Sequence, residues 1–242
     1  MTERAPAFYA LSGGGWRDWW TLLHPPYTLW HLSYVALGAA AAPTLRLDRL
    51  LATLLAFFFA VGLGAHALDE LNGRPLRTRI AASALRATAA VSIAAAVAIG
   101  IAGIARVGIV LVPFIAFGAF IVVAYNLESF GGAFHSDVWF ALAWGAFPAL
   151  TASVASTESI RLEGVAMAAA CFALSVAQRA LSTPVRALRR RTESVDGTIV
   201  RADGSVEQID EELLREAPEA ALRALSVAMP LLAAAAVIAR AI

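Results

Sequence analysis

The sequence predicts an all-α fold, an integral membrane helical bundle of about seven spanning helices. Three observations carry that expectation. Hydrophobic residues fill 60% of the 242 positions and charged residues only 15%, against about 25% charged in ordinary soluble domains. Seven apolar segments approach the roughly 20 residues that a spanning helix needs. The arginines, finally, are divided unevenly between the two sets of connecting loops, as the positive-inside rule describes.

The elements follow in order. Residues 1–23 read as an interfacial segment. They lack the hydrophobic run and cleavage site of a signal peptide, and Trp16, Trp19 and Trp20 suit the headgroup level. Residues 24–181 read as a six-helix membrane core with spans at 26–43, 48–69, 80–104, 107–125, 137–155 and 161–181. Pro25 and Pro26 mark the start of the first span. His31 and Tyr34 inside it predict that one side faces protein or a cavity. Ala105-Arg106 is a tight turn, and the fifth span holds Trp139, Trp144 and Pro148. Residues 182–218 read as a cytoplasmic loop. It opens with Arg189, Arg190 and Arg191 among anionic headgroups, carries two Asp-Gly turn signals that predict a β-hairpin, and ends in an acidic helical stretch leading to Pro218. Residues 219–242 form the seventh helix.

With the N-terminus inside, 14 of the 19 arginines fall on or near the inner side and the C-terminus lies outside. All 19 basic residues are arginine, a bias that points to a GC-rich bacterial genome and hence to a bacterial inner membrane. Cys171 is the only cysteine. It forms no intrachain disulfide and reads as a small core residue. A net charge of +1, with no basic and aromatic residues interleaved in a soluble domain, argues against a nucleic-acid partner.

The segment from Gly64 to Arg79 concentrates polar residues where an apolar run ends, which is a functional-site hypothesis by default. His66, Asp69 and Glu70 are spaced i, i+3, i+4 and are expected to share one helix face. They are candidate ligands for a divalent metal. Oxygen ligands favour magnesium, while the imidazole admits zinc, iron or manganese. Arg74 and Arg77 are candidates for binding phosphate oxygens. The alternative is a charged helix end in which Asp69 or Glu70 pairs with arginine. A second polar cluster, 125–137, supplies Tyr125 and Asn126 as substrate-binding candidates, Glu128 as a further metal ligand and His135 as a catalytic base beside Asp69 and Glu70. Asp137 is expected to cap the fifth span, with Ser136 as the alternative. Gln178, Arg179, Thr183 and Arg186 end the sixth span and are candidates for contacting phosphate from the opposite side of a cavity; the alternative for Arg179 is snorkelling to the interface. His24 reads as interfacial. His31 reads as facing the cavity or bonding a neighbouring helix.

Three stretches resemble the UbiA superfamily of intramembrane prenyltransferases. They are His24-Pro25-Pro26-Tyr27-Thr28-Leu29 running into Leu37-Gly38-Ala39, Asp69 in a segment that ends Arg74-Pro75-Leu76, and Tyr125 before a glycine-containing loop and a helix with Gly145 and Pro148. The resemblance covers roughly residues 20–155. It implies an all-helical fold, magnesium held by two Asp-rich motifs, and transfer of a prenyl group from an isoprenyl diphosphate to a lipophilic acceptor. By that likeness Asp69 is a metal ligand and Arg74 lies near the diphosphate. The family's Asn and first Asp fall on Ala65 and His66, and its last Asp falls on Gly73. No acid follows the sixth span before Glu193.

Three functions therefore stand as expectations: a divergent prenyltransferase acting on an isoprenoid or other lipid substrate, another metal-dependent membrane enzyme built on His66, Asp69, Glu70, Glu128 and His135, and a non-catalytic lipid-binding or transport protein. Membrane lipids are expected partners, as is a protein docking through 182–218.

Overall fold

The computed structural model describes residues 5–11 and 13–242; Arg4, counted above on the inner side, and the rest of 1–4 lie outside the described residues. Eight helices account for most of the chain. Helix α1, Trp16–Leu23, is short and amphipathic. Trp16, Trp19 and Trp20 are exposed, while Leu22 and Asp18 are buried and Asp18 accepts from the Arg79 amide at 3.1 Å. Helix α2, Pro25–Ala41, follows directly. Six further helices are long and apolar enough to cross a membrane: α3 (Leu47–Leu71), α4 (Ala82–Val107), α5 (Ile109–Asn126), α6 (Asp137–Thr157), α7 (Leu162–Arg191) and α8 (Glu211–Ala241). Their outer sides carry exposed apolar groups such as Val91, Ile101, Val227, Leu231 and Ile238, as lipid-facing surfaces require. The chain is a multi-pass membrane protein by these features.

Helix α2 is the centre of the bundle. Its 17 residues span about 25 Å. Trp30, Tyr34, Val35, Leu37 and Ala39 are fully or almost fully buried against α8 and the second half of α6. Small residues set the closest crossings, as is usual where backbones approach in membranes. Gly38 of α2 meets Ala149 of α6, and Gly145 of α6 meets Cys171 and Ser175 of α7. Buried polar side chains find partners within the bundle: Trp30 Nε1 donates to the Tyr34 hydroxyl at 2.6 Å, and Ser175 donates to the same oxygen at 3.3 Å.

Two boundaries depart from the sequence expectation. The sixth span continues as helix to Arg191 instead of stopping near residue 181, with Pro184 inside it. Alanine, leucine and arginine dominate that extension and are strong helix formers. Helix α8 begins at Glu211 and runs through Pro218. Asp210 caps it by accepting from the Leu213 amide, and Glu219 draws Arg215 and Arg223 along one face at i,i+4 spacing. Glu219 also accepts from Arg189 at 2.6 Å with both side chains buried, so the end of α7 is locked to the start of α8. Between them, β1 (Thr198–Val200) and β2 (Val206–Gln208) pair antiparallel around an Asp-Gly turn.

Two helices contain π-helical turns: Phe58–Ala65 in α3 and Ala141–Ala146 in α6. Each widens the helix just where the polar side chains begin, and π-turns of this kind recur at functional sites.

Candidate functional site

The helices alternate in direction, so one end of the bundle collects the start of α2, the ends of α3, α5 and α7, and the start of α6. A cavity of about 570 Å³ lies there. All four histidines of the chain line it, His24, His31, His66 and His135, although they come from three separate segments. So do Asp69, Tyr125, Asn126, Glu128, Gln178 and the arginines 179, 186, 190 and 191.

Each histidine is anchored through Nδ1 to a backbone carbonyl: His24 to Leu22 at 2.7 Å, His31 to Trp144 at 2.9 Å, His66 to Gly62 at 3.1 Å and His135 to Tyr125 at 3.0 Å. A carbonyl only accepts, so each of these Nδ1 atoms carries a proton. The rings of His24 and His66 lie 4.1 Å apart between centroids, and that of His135 stacks on Tyr125 at 4.6 Å. The cavity thus holds four oriented imidazoles. His24, read from sequence as interfacial, is one of them. His31 satisfies both readings, since it lines the cavity and bonds a neighbouring helix.

The Gly64–Arg79 motif divides in two. His66 and Asp69 line the cavity, but Glu70 does not. Its fully buried carboxylate accepts from the Leu76 amide at 2.9 Å, the Thr78 amide at 2.8 Å and the Thr78 hydroxyl at 2.8 Å. The expectation of one shared face is corrected: positions i+3 and i+4 lie about 100° apart around an α-helix, and the loop 72–81 claims the second. Arg74 serves the same loop, donating to the Ile80 carbonyl at 2.7 Å and the Thr78 carbonyl at 3.4 Å. Arg77 is exposed and also lies outside the cavity lining. Gly73, Arg74 and Arg77 take positive φ angles of 91°, 55° and 56°, the tight path that lets the loop wrap around Glu70.

Asn126 donates to the Val122 carbonyl at 2.7 Å, and Asn72 reaches Glu128 at 3.4 Å, which ties the rim of α5 to the loop. Ser136 caps α6 by accepting from the Trp139 amide; Asp137, expected there, instead pairs with Arg179 at 2.5 Å. Arg179 also lies over the Phe140 ring at 5.0 Å. The side-chain oxygen of buried Gln178 has no hydrogen-bond partner among the described residues. Thr183 and Arg186, phosphate-contact candidates by sequence, line the cavity, and so does Arg190, which the sequence offered only as part of an arginine-rich stretch. They become wall residues because α7 continues past 181 and brings 179, 183, 186 and 190 onto one face.

The magnesium site implied by the family resemblance does not fit this donor set. With Glu70 engaged by the loop, Asp69 and Glu128 are the carboxylates lining the cavity. Among the described residues, no three His, Cys, Asp or Glu side chains group so as to hold a metal ion.

A second cavity of about 590 Å³ lies deeper, between α3, α4, α5 and α6. Its walls are mostly apolar, including Ile93, Val97, Phe114, Ile115, Val122 and Phe147, with Asp48, Arg49 and Arg106 also in the lining. Val61 and Trp144 line both cavities, so the polar chamber and the apolar chamber meet at these two side chains.

No known protein family, curated protein or solved structure matches the chain.

His24 precedes α2, and burial pushes its imidazole down to about 4. An unfolded histidine titrates near 6.5. The stability from a neutral His24 is therefore fully present above pH 6.5 and is lost as pH falls toward 4, by up to about 3 kcal/mol. Thermal unfolding in detergent should show a lower Tm at pH 5 than at pH 7.5. His24→Asn, which tolerates the 48° φ angle at this position, should flatten that dependence.

Proposed function

We propose that the protein is a divergent UbiA-like prenyltransferase of a bacterial inner membrane. On this reading α2 and the six long helices make seven spans, the N-terminus is cytoplasmic, and the substrates are an isoprenyl diphosphate and a lipophilic acceptor. The observation that carries the reading is the pair of adjoining chambers. A polar, arginine-walled cavity of about 570 Å³ meets an apolar one of about 590 Å³ at Val61 and Trp144. A lipid with an anionic head and a long hydrocarbon tail has the same division.

In this account the diphosphate occupies the polar chamber and the prenyl chain runs past Val61 and Trp144 between α3, α4, α5 and α6. Cations aimed at the diphosphate stabilise the negative charge that gathers as the bond between C1 and the diphosphate oxygen breaks. The new bond joins C1 to the acceptor, whose displaced proton passes to His135 Nε2 or to the Asp69 carboxylate. Tyr125 and Asn126 shape the wall against which the reacting carbon lies. No step is assigned to a metal ion.

The test is incubation of the purified protein with radiolabelled prenyl diphosphates and bacterial membrane lipid. The expected result is a labelled lipid product together with released diphosphate, lowered about 100-fold or more by Asp69→Asn or His135→Gln if these groups take the proton. Intact protein that gives neither product nor diphosphate would contradict the reading. A second reading rests on the missing acidic motif after the sixth span: a lipid-diphosphate binding or transport protein. It predicts saturable binding of the same compounds without their consumption.

A further inference from the structure

We propose that the α7 wall takes the place of metal in this site: Arg186 and Arg190, assisted by Arg179, hold the diphosphate directly, and binding needs no divalent cation. The inference rests on the lipid-diphosphate reading given above and specifies how that head group is bound.

Two observations support it. The first is the disposition of charge. Arg179, Thr183, Arg186 and Arg190 are spaced by four, three and four residues on α7, which puts them on one helix face, and all four line the polar cavity. Arg179 is held by Asp137. Arg186 and Arg190 have no carboxylate partner among the described residues. Arg186 donates to the Thr183 hydroxyl at 3.3 Å and Arg190 to the Pro6 carbonyl at 3.2 Å. Both side chains are partly withdrawn from solvent. Guanidinium groups in that state call for an anion, and the planar fork of arginine matches phosphate oxygens bidentately.

The second observation is the carboxylate supply. A magnesium–diphosphate site needs oxygen ligands from the protein. Glu70, a metal-ligand candidate by sequence, spends its carboxylate on three donors of the 72–81 loop. Asp69 feels the charges of Arg186 and Arg190, so the acid and the two cations belong to one electrostatic neighbourhood. The acid remaining nearby is Glu128, which is tied to Asn72. The cationic donors that line the cavity are the α7 guanidinium groups.

The experiment is calorimetric titration of the full chain in zwitterionic nanodiscs. Geranylgeranyl diphosphate and inorganic pyrophosphate serve as probes, each with magnesium and with EDTA. The expected result is that geranylgeranyl diphosphate binds with the same affinity, within about twofold, under both conditions. Arg186→Gln and Arg190→Gln should each weaken it about 10-fold or more in EDTA, and Arg186→Lys should recover part of the loss. Pyrophosphate should compete, but more weakly, because it leaves the apolar chamber empty. Binding that is lost in EDTA and indifferent to the arginine substitutions in magnesium would overturn the arginine assignment while leaving the lipid-diphosphate reading in place. Absence of binding under both conditions would overturn both. Complete displacement of the probe when the nanodiscs contain phosphatidylglycerol would also overturn the proposal, since the arginines would then be a clamp for bulk anionic headgroups. Unchanged Tm in the variants ties any loss to the site and not to the fold.

Discussion

Glu70→Ala is expected to destabilise the polar-cavity end of the bundle by about 4 kcal/mol or more, because it strands three buried donors at once. The carboxylate is fully buried and accepts from two backbone amides and one hydroxyl of the 72–81 loop. Each orphaned donor costs about 1–3 kcal/mol, and no water reaches them without opening the loop. The loop also carries the Arg79 amide that Asp18 accepts, so helix α1 should loosen with it. Asn72 and Pro75 belong to the cavity wall, and the site should therefore lose its shape along with its stability. Glu70→Gln keeps an acceptor oxygen but turns an NH2 group toward a donor, and should cost about half as much. Thermal unfolding of the detergent-solubilised variants, followed by size-exclusion chromatography, measures the series. A near-wild-type Tm for Glu70→Ala would show that the loop is not held in this way.

The second large effect is expected at the crossing of α2 and α6. A Cβ on Gly38 would lie 2.0 Å from the Ala149 carbonyl oxygen and 2.6 Å from two further backbone atoms of Ala149. Backbone cannot turn aside as a side chain can, so the helices must separate. Gly38→Ala should therefore cost upwards of about 3 kcal/mol, the top of the usual range for overpacking. The same substitution at Gly103 is a control of opposite sign. There the new methyl meets only Leu111 Cδ1 at 3.2 Å, the end of a flexible side chain, and alanine should gain up to about 1 kcal/mol in helix propensity. The pair separates a packing penalty from any general effect of glycine in these helices.

Much of the architecture is written in the apolar runs. Their lengths and interruptions place the long helices to within a few residues, apart from the ends of α7 and the start of α8. There arginine, glutamate and alanine extend helix beyond the hydrocarbon-like composition that hydropathy detects, and Asp210 supplies a cap that outweighs Pro218. The site was legible in part. His66, Asp69, Tyr125, Asn126, Glu128, His135 and Arg179 come together at one cavity. Spacing on one helix could not tell Asp69 from Glu70, because the decision belongs to amides six and eight residues downstream. Nor could a local pattern gather His24 and His31 with His66 and His135. Only the alternating direction of the helices does that. Arg190 was hidden for a simpler reason: its place on one face of α7 with Arg179, Thr183 and Arg186 exists only once the helix is known to run to Arg191.

The central claim is that one lipid diphosphate occupies both chambers, head against α7 and tail between α3, α4, α5 and α6. Photocrosslinking with a prenyl diphosphate that carries a benzophenone at the end of its tail tests this most directly. The account predicts adducts on the apolar chamber wall, at residues such as Ile93, Val97, Phe114 or Ile115, abolished by unlabelled prenyl diphosphate but not by the corresponding alcohol at equal concentration. Adducts confined to the outer face of α8, or labelling at the chamber wall that the alcohol removes as well as the diphosphate does, would contradict it.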